Sequence, residues 1–138
     1  MKILLAATFV NATKQWPISV EVTINDVVVW AKSVLDSEDM QIEINDVVAS
    51  NQVKIMFAGK TQVENDIAAQ TAIIINDIKL QDIDIEPVLH KIARYHHSTN
   101  GYTDPITTEY TNFVGFDGTI EFNLDTPVST WFYKNYPW

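Results

Sequence analysis

Ile18-Ser19-Val20-Glu21-Val22-Thr23-Ile24-Asn25-Asp26-Val27-Val28-Val29-Trp30 is the stretch that decides the fold. Apolar side chains occupy 18, 20, 22 and 24, with polar ones between them. A period of two places one face of an extended strand against a core. Asn25-Asp26 then interrupts the run. Both residues tolerate a left-handed backbone and bond their own main chain, so they suit the tight turn of a hairpin. Val27 to Trp30 reads as the returning strand.

The same alternation recurs outward from this hairpin. Ile42 and Ile44 alternate with Gln41 and Glu43, and Val53, Ile55 and Phe57 with Lys54 and Met56. Later, Ile120, Phe122 and Leu124 alternate with Glu121 and Asn123. Asn-Asp pairs stand again at 45–46, 65–66 and 76–77. The Ile-Asn-Asp copies begin at 24, 44 and 75, spacings too unequal for a solenoid, so they are reused turn chemistry.

Residues 1–10 superficially resemble a signal peptide. Their apolar run is short and meets polar Asn11 directly, so they read as a first strand. In Ile78-Lys79-Leu80-Gln81-Asp82-Ile83-Asp84-Ile85 the apolar parity changes after Leu80. The change predicts a bulge near Gln81-Asp82 or a bend between sheets. One short helix is expected where Glu86-Pro87 precedes Val88, Leu89, Ile92 and Ala93 at helical spacing. Residues 98–105 read as a polar loop. The sum is a single all-β domain over 1–138, an antiparallel β-sandwich or jelly roll of roughly eight strands with one short helix.

Composition narrows the function. Eighteen acids oppose nine bases for a net charge of −9, and no stretch gathers Lys or Arg, which argues against nucleic acid as a partner. No apolar run approaches a membrane span, so no membrane partner is expected. Cysteine is absent, which excludes disulfides and thiolate metal sites and suits a reducing cytoplasm.

Candidate sites are few. No Gly-x-Ser-x-Gly elbow, Gly-rich phosphate loop or His-Glu-x-x-His motif is present, so the chain reads as non-enzymatic. His90, His96 and His97 read as solvated loop histidines rather than a zinc site, which would want helical i, i+4 or hairpin spacing with a carboxylate nearby. No cofactor is expected, with calcium the one exception. Asp77, Asp82 and Asp84 lie around the parity break and could supply oxygen ligands, or simply meet water. The ending Trp131-Phe132-Tyr133-Lys134-Asn135-Tyr136-Pro137-Trp138 holds five aromatics in eight residues. Either they pack across an open end of the sandwich, or Trp131, Phe132, Tyr133, Tyr136 and Trp138 form a subunit interface or a platform for stacking sugar rings. Trp16 and Trp30 could join either surface.

Two segments carry a resemblance. Residues 75–87, and 113–124 with the following Asp125-Thr126-Pro127-Val128-Ser129-Thr130-Trp131-Phe132, resemble segments of small structural proteins of tailed bacteriophages, including those infecting cyanobacteria. The same layout is similar to calcium-dependent carbohydrate-binding modules of the β-sandwich type. The first resemblance implies a virion component made in the host cytoplasm, a capsid decoration or tail accessory. Such a protein would act as a homo-oligomer or docked on other virion proteins. The second implies a cell-surface glycan as ligand. Neither motif transfers a specific functional residue.

Overall fold

A computed structural model describes residues 2–59, 71–97 and 106–136. Among them eleven strands form two antiparallel sheets. β1 (Lys2–Asn11), β4 (Ser37–Asn45), β6 (Ile73–Leu80), β7 (Ile83–Asp84) and β10 (Phe113–Val114) make the first. Its order is β10-β6-β1-β4, and β7 also pairs with β6. β2 (Ile18–Ile24), β3 (Val27–Val34), β5 (Ser50–Ala58), β8 (Arg94–His97), β9 (Ile106–Glu109) and β11 (Gly118–Asp125) make the second, in the order β3-β2-β5-β11-β8-β9. The expected sandwich is therefore present. Its extra strands are short pieces at or near sheet edges, whose two to four residues carry no legible alternation.

The alternating residues point where their period requires. Ile3, Leu5, Ala7 and Phe9 of β1 share one core with Val20 and Val22 of β2, Ile55 and Phe57 of β5, and Ile120, Phe122 and Leu124 of β11. Each large apolar side chain buried this way contributes roughly 1.5–3 kcal/mol before ordering costs. Phe9 anchors the middle, 5.4 Å from the Trp30 ring and 6.4 Å from that of Phe57.

Asn25 and Asp26 both have positive φ, 51° and 67°, and close the β2–β3 hairpin. The parity break has a different cause from the one expected. Gln81 and Asp82, at φ 52° and 64°, are a second two-residue turn, joining β6 to the short β7. The bulge lies earlier. Asp77 at φ 53° is the extra residue where β6 slips against β1 between Ala6 and Thr8. It switches the buried set from Ile73 and Ile75 to Ile78 and Leu80.

Two helices cap one end of the sandwich. α1 (Glu86–Ile92) is the expected one, with Pro87 in its first turn and Asp84 Oδ1 accepting the Glu86 N–H at 2.9 Å. α2 (Val128–Asn135) was not expected. It follows a cis Thr126–Pro127 bond and forms from most of the aromatic ending. The Asn65-Asp66 pair and the 98–105 loop lie outside the described residues.

Candidate functional site

Helical geometry divides the aromatic ending. Val128 and Trp131 are one turn apart and both are buried, Trp131 at 2 % exposure. The Trp131 indole Nε1 donates to the Asn123 carbonyl at 2.9 Å, which satisfies the one polar group the ring brings into the core. Phe132 meets Trp131 edge-on at 5.3 Å and Tyr136 at 6.3 Å, and both are half-buried. Tyr133 points away and is 79 % exposed. Trp131 is thus an anchor within the core. Tyr133, Phe132 and Tyr136 provide what aromatic surface the described ending offers, and Trp138 lies outside the described residues.

That surface has apolar neighbours. Thr126 donates its N–H to the Ala49 carbonyl and its hydroxyl to the Val48 carbonyl, both at 2.9 Å. The β4–β5 turn is thereby held to the start of α2. Val47 of this turn is 85 % exposed, and Val48 is exposed too. Across the same end, the β2–β3 turn leads into exposed Val27, Val28 and Val29 on the edge strand β3. Lys32 of that strand pairs with core-facing Val20 yet is itself exposed, so a charge stands on the inward side of the edge. Such a charge discourages uncontrolled strand pairing there. Trp16 and Trp30 do not join this surface. Trp16 donates Nε1–H to the Gly59 carbonyl at 2.7 Å at the opposite end, and Trp30 packs on Phe9.

The three candidate calcium ligands are dispersed. Asp77 sits at the bulge and lines a shallow depression on the outer face of the first sheet with Ala6, Thr8, Asp39, Gln41 and Lys79. Asp82 is in the β6–β7 turn, and Asp84 is in β7 beside Lys79. Among the described residues no group of three or more His, Asp or Glu side chains is gathered to hold a metal.

The histidines differ from the solvated-loop expectation. His90 lies on α1. His96 is on the outer face of the second sheet, its Nε2 2.7 Å from Glu121 Oε1 and its Nδ1 2.9 Å from Thr107 Oγ1. His97 is buried and stacks between Tyr95 at 4.2 Å and Phe116 at 5.2 Å. The Thr107–His96–Glu121 chain joins three strands that only the fold makes neighbours. Thr107 is the direct cross-strand partner of His96, and Glu121 lies one same-face pair further along β11, where it faces Arg94. Tyr95 donates its hydroxyl to the Phe116 carbonyl and accepts the Phe116 N–H at 3.1 Å. Burial pushes its pKa up to about 12 against the opposing effect of that backbone hydrogen bond, with Asp117 adding to the rise.

No family model, no curated protein and no solved structure matches this chain. No helix among the described residues is long and apolar enough to cross a membrane.

Proposed function

We propose that this chain is a non-enzymatic structural or accessory protein of a tailed-phage virion, a capsid decoration or tail accessory made in the host cytoplasm, which works by docking onto virion proteins or copies of itself. The observation that supports docking is Tyr133, exposed on a helix whose neighbouring Trp131 is locked into the core. A tyrosine held this way buries a large amphipathic surface on contact while losing little side-chain freedom. Exposed Val47 and Val48 beside the start of the same helix extend the apolar surface. The virion setting rests on the resemblance of residues 75–87 and 113–132.

The test is light scattering of the full chain over a concentration series. A stable oligomer that Tyr133→Asp reduces to monomer, with circular dichroism unchanged, supports docking through this end. An oligomer indifferent to Tyr133→Asp, or a monomer at every concentration, removes self-assembly through it.

A second reading is a glycan-binding module with calcium as a helper. It is favoured by the depression on the first sheet, where Thr8, Asp39, Gln41, Asp77 and Lys79 present hydroxyl, carboxylate, amide and ammonium groups together. Those groups suit sugar hydroxyls. A glycan-binding screen with and without chelator separates the readings, and glycan affinity lost in Asp39→Ala or Asp77→Ala would favour the second.

A further inference from the structure

The outward-facing residues of the first sheet form a grid that its register fixes. Phe113, Ile74, Val10 and Ser37 lie side by side in one row across β10, β6, β1 and β4. Asn76, Thr8 and Asp39 make the next row, and Lys79, Ala6 and Gln41 the one after it. The first row is apolar over three strands. Val10 and Ile74 are half-buried, and Phe113 is 54 % exposed. Phe113 is nonetheless held in place. Its N–H is donated to Thr111 Oγ1 at 3.1 Å, and its ring lies beside Gly115, where a Cβ would stand 3.7 Å from Cε1.

The shallow depression adjoins this row. Ala6 is a small residue between the longer Gln41 and Lys79, and so forms its floor. Thr8 donates its hydroxyl to Asp39 Oδ1 at 2.7 Å, which fixes that carboxylate on the β4 side. Asp77, the extra residue of the bulge, brings a second carboxylate from the β6 side. Bulges commonly re-aim a side chain in this way beside a site. By sheet spacing, Phe113 stands about 12 Å from Thr8, two strands and one row away. That is the span of a short chain of sugars and too long for a single ring.

A held aromatic ring beside fixed polar groups matches the two sides of a sugar. The C–H face of a pyranose packs on the ring, while its hydroxyls donate to carboxylates and accept from ammonium and amide groups. Charge narrows the class. Among the described residues Asp39 and Asp77 line the depression against Lys79, and Asp84 is the cross-strand partner of that lysine. Carboxylated or sulfated glycans would meet repulsion there, and neutral ones would not.

We propose that this face binds a neutral oligosaccharide lying diagonally across the first sheet. One sugar stacks on Phe113, and another gives its hydroxyls to Asp39 and Asp77 in the depression. The inference rests on the glycan-binding reading and assigns its stacking residue to Phe113 instead of the aromatic ending.

Calorimetric titration of the full chain in calcium-containing buffer tests it. The probes are neutral hexasaccharides of glucose, mannose and N-acetylglucosamine, with oligogalacturonate as the acidic counterpart. The expected result is saturable one-to-one binding of at least one neutral chain and none of oligogalacturonate at the same concentrations. Phe113→Ala and Asp39→Asn should each weaken binding at least about tenfold in a protein that melts close to wild type. Phe113→Trp should retain binding, and Tyr133→Ala should leave it unchanged. Neutral-chain binding that survives Phe113→Ala and disappears in Tyr133→Ala overturns this site while the glycan-binding reading stands. A preference for oligogalacturonate does the same. A chain that binds none of the probes overturns both, and an oligomer that Phe113→Ala then dissociates in light scattering would make this face a protein contact.

Discussion

The indole nitrogen of Trp131 and the backbone carbonyl of Asn123 are joined across 2.9 Å, and this bond fastens α2 onto the strand that precedes it. The last helix is therefore part of the packed body and not an appendage. Trp131→Ala should cost about 3–5 kcal/mol, because it removes a large core side chain and leaves a cavity. Trp131→Phe keeps much of the packing but orphans the Asn123 carbonyl, and should cost less. Urea unfolding of both variants checks the order.

Tyr133, two positions further on, should behave oppositely. Its side chain is largely in water, so Tyr133→Ala should change stability by no more than about 0.5 kcal/mol. Any loss of oligomer or of particle binding in this variant then reports on docking alone. Unfolding curves and light scattering on one preparation separate the two effects.

Gly118 opens β11 where the chain passes β8. A Cβ there would overlap the His96 carbonyl oxygen and stand 2.7 Å from His97 Cβ and 2.9 Å from His97 Cα. Two of those three atoms are backbone, which cannot swing away. Gly118→Ala should destabilise by about 3 kcal/mol or more, at the upper end for overpacking. A melting temperature close to wild type would contradict this close approach.

The β2–β3 turn allows a contrast between adjacent residues. Asn25 accepts the Gln52 N–H at 2.8 Å and donates to Asn51 at 3.1 Å, so Asn25→Ala loses two hydrogen bonds and must hold a positive φ. That should cost about 2–3 kcal/mol. Asp26 holds positive φ too, but its contact with Lys54 is a surface ion pair of small value. Asp26→Gly should be neutral or stabilise by up to about 1 kcal/mol. Thermal melts of the two variants should move in opposite directions or differ by several degrees.

Alkaline pH should unfold the protein through Tyr95 and Tyr110. Both phenols are raised above the ordinary tyrosine value of about 10, so the native state favours the neutral form. The stability they contribute is full below about pH 10 and is lost as pH climbs through the folded values, about 12 for Tyr95. Melting temperature measured against pH should fall across this window. Tyr110→Phe should make the fall shallower, because Phe carries no phenol to ionise and breaks no hydrogen bond.

Much of the fold is written in long alternating runs. β2, β4, β5 and β11 were legible because a half-buried strand must repeat every two residues. The Asn25-Asp26 turn was legible because few other side chains accept its backbone. The helix at 86–92 announced itself through Glu86-Pro87. The Asp77 bulge was not visible, since one extra residue in a ladder shows only once the partner strand is known. Its footprint was present, in that Ile75 and Ile78 are both apolar at a spacing of three. α2 also left a trace, with Val128, Trp131, Phe132, Asn135 and Tyr136 following a helical period. Aromatic and β-branched residues are weak helix formers, and packing of Trp131 against β11 overrides that preference. The candidate sites were harder to read. Phe113 comes beside Ile74 and Val10, and Thr107 beside His96 and Glu121, only through strand pairing, which no single stretch records.

The placement of β11 has a consequence for synthesis. It is the last strand of the described chain to leave the ribosome, yet it lies between β5 and β8 in the second sheet. Until it arrives, that sheet is two fragments, each with an unpaired strand edge. A chain stalled or cut before about residue 118 would present both edges to other nascent chains, the kind of exposure that leads to aggregation. Truncated products should therefore collect in inclusion bodies while the full-length chain, produced in the same cell, folds.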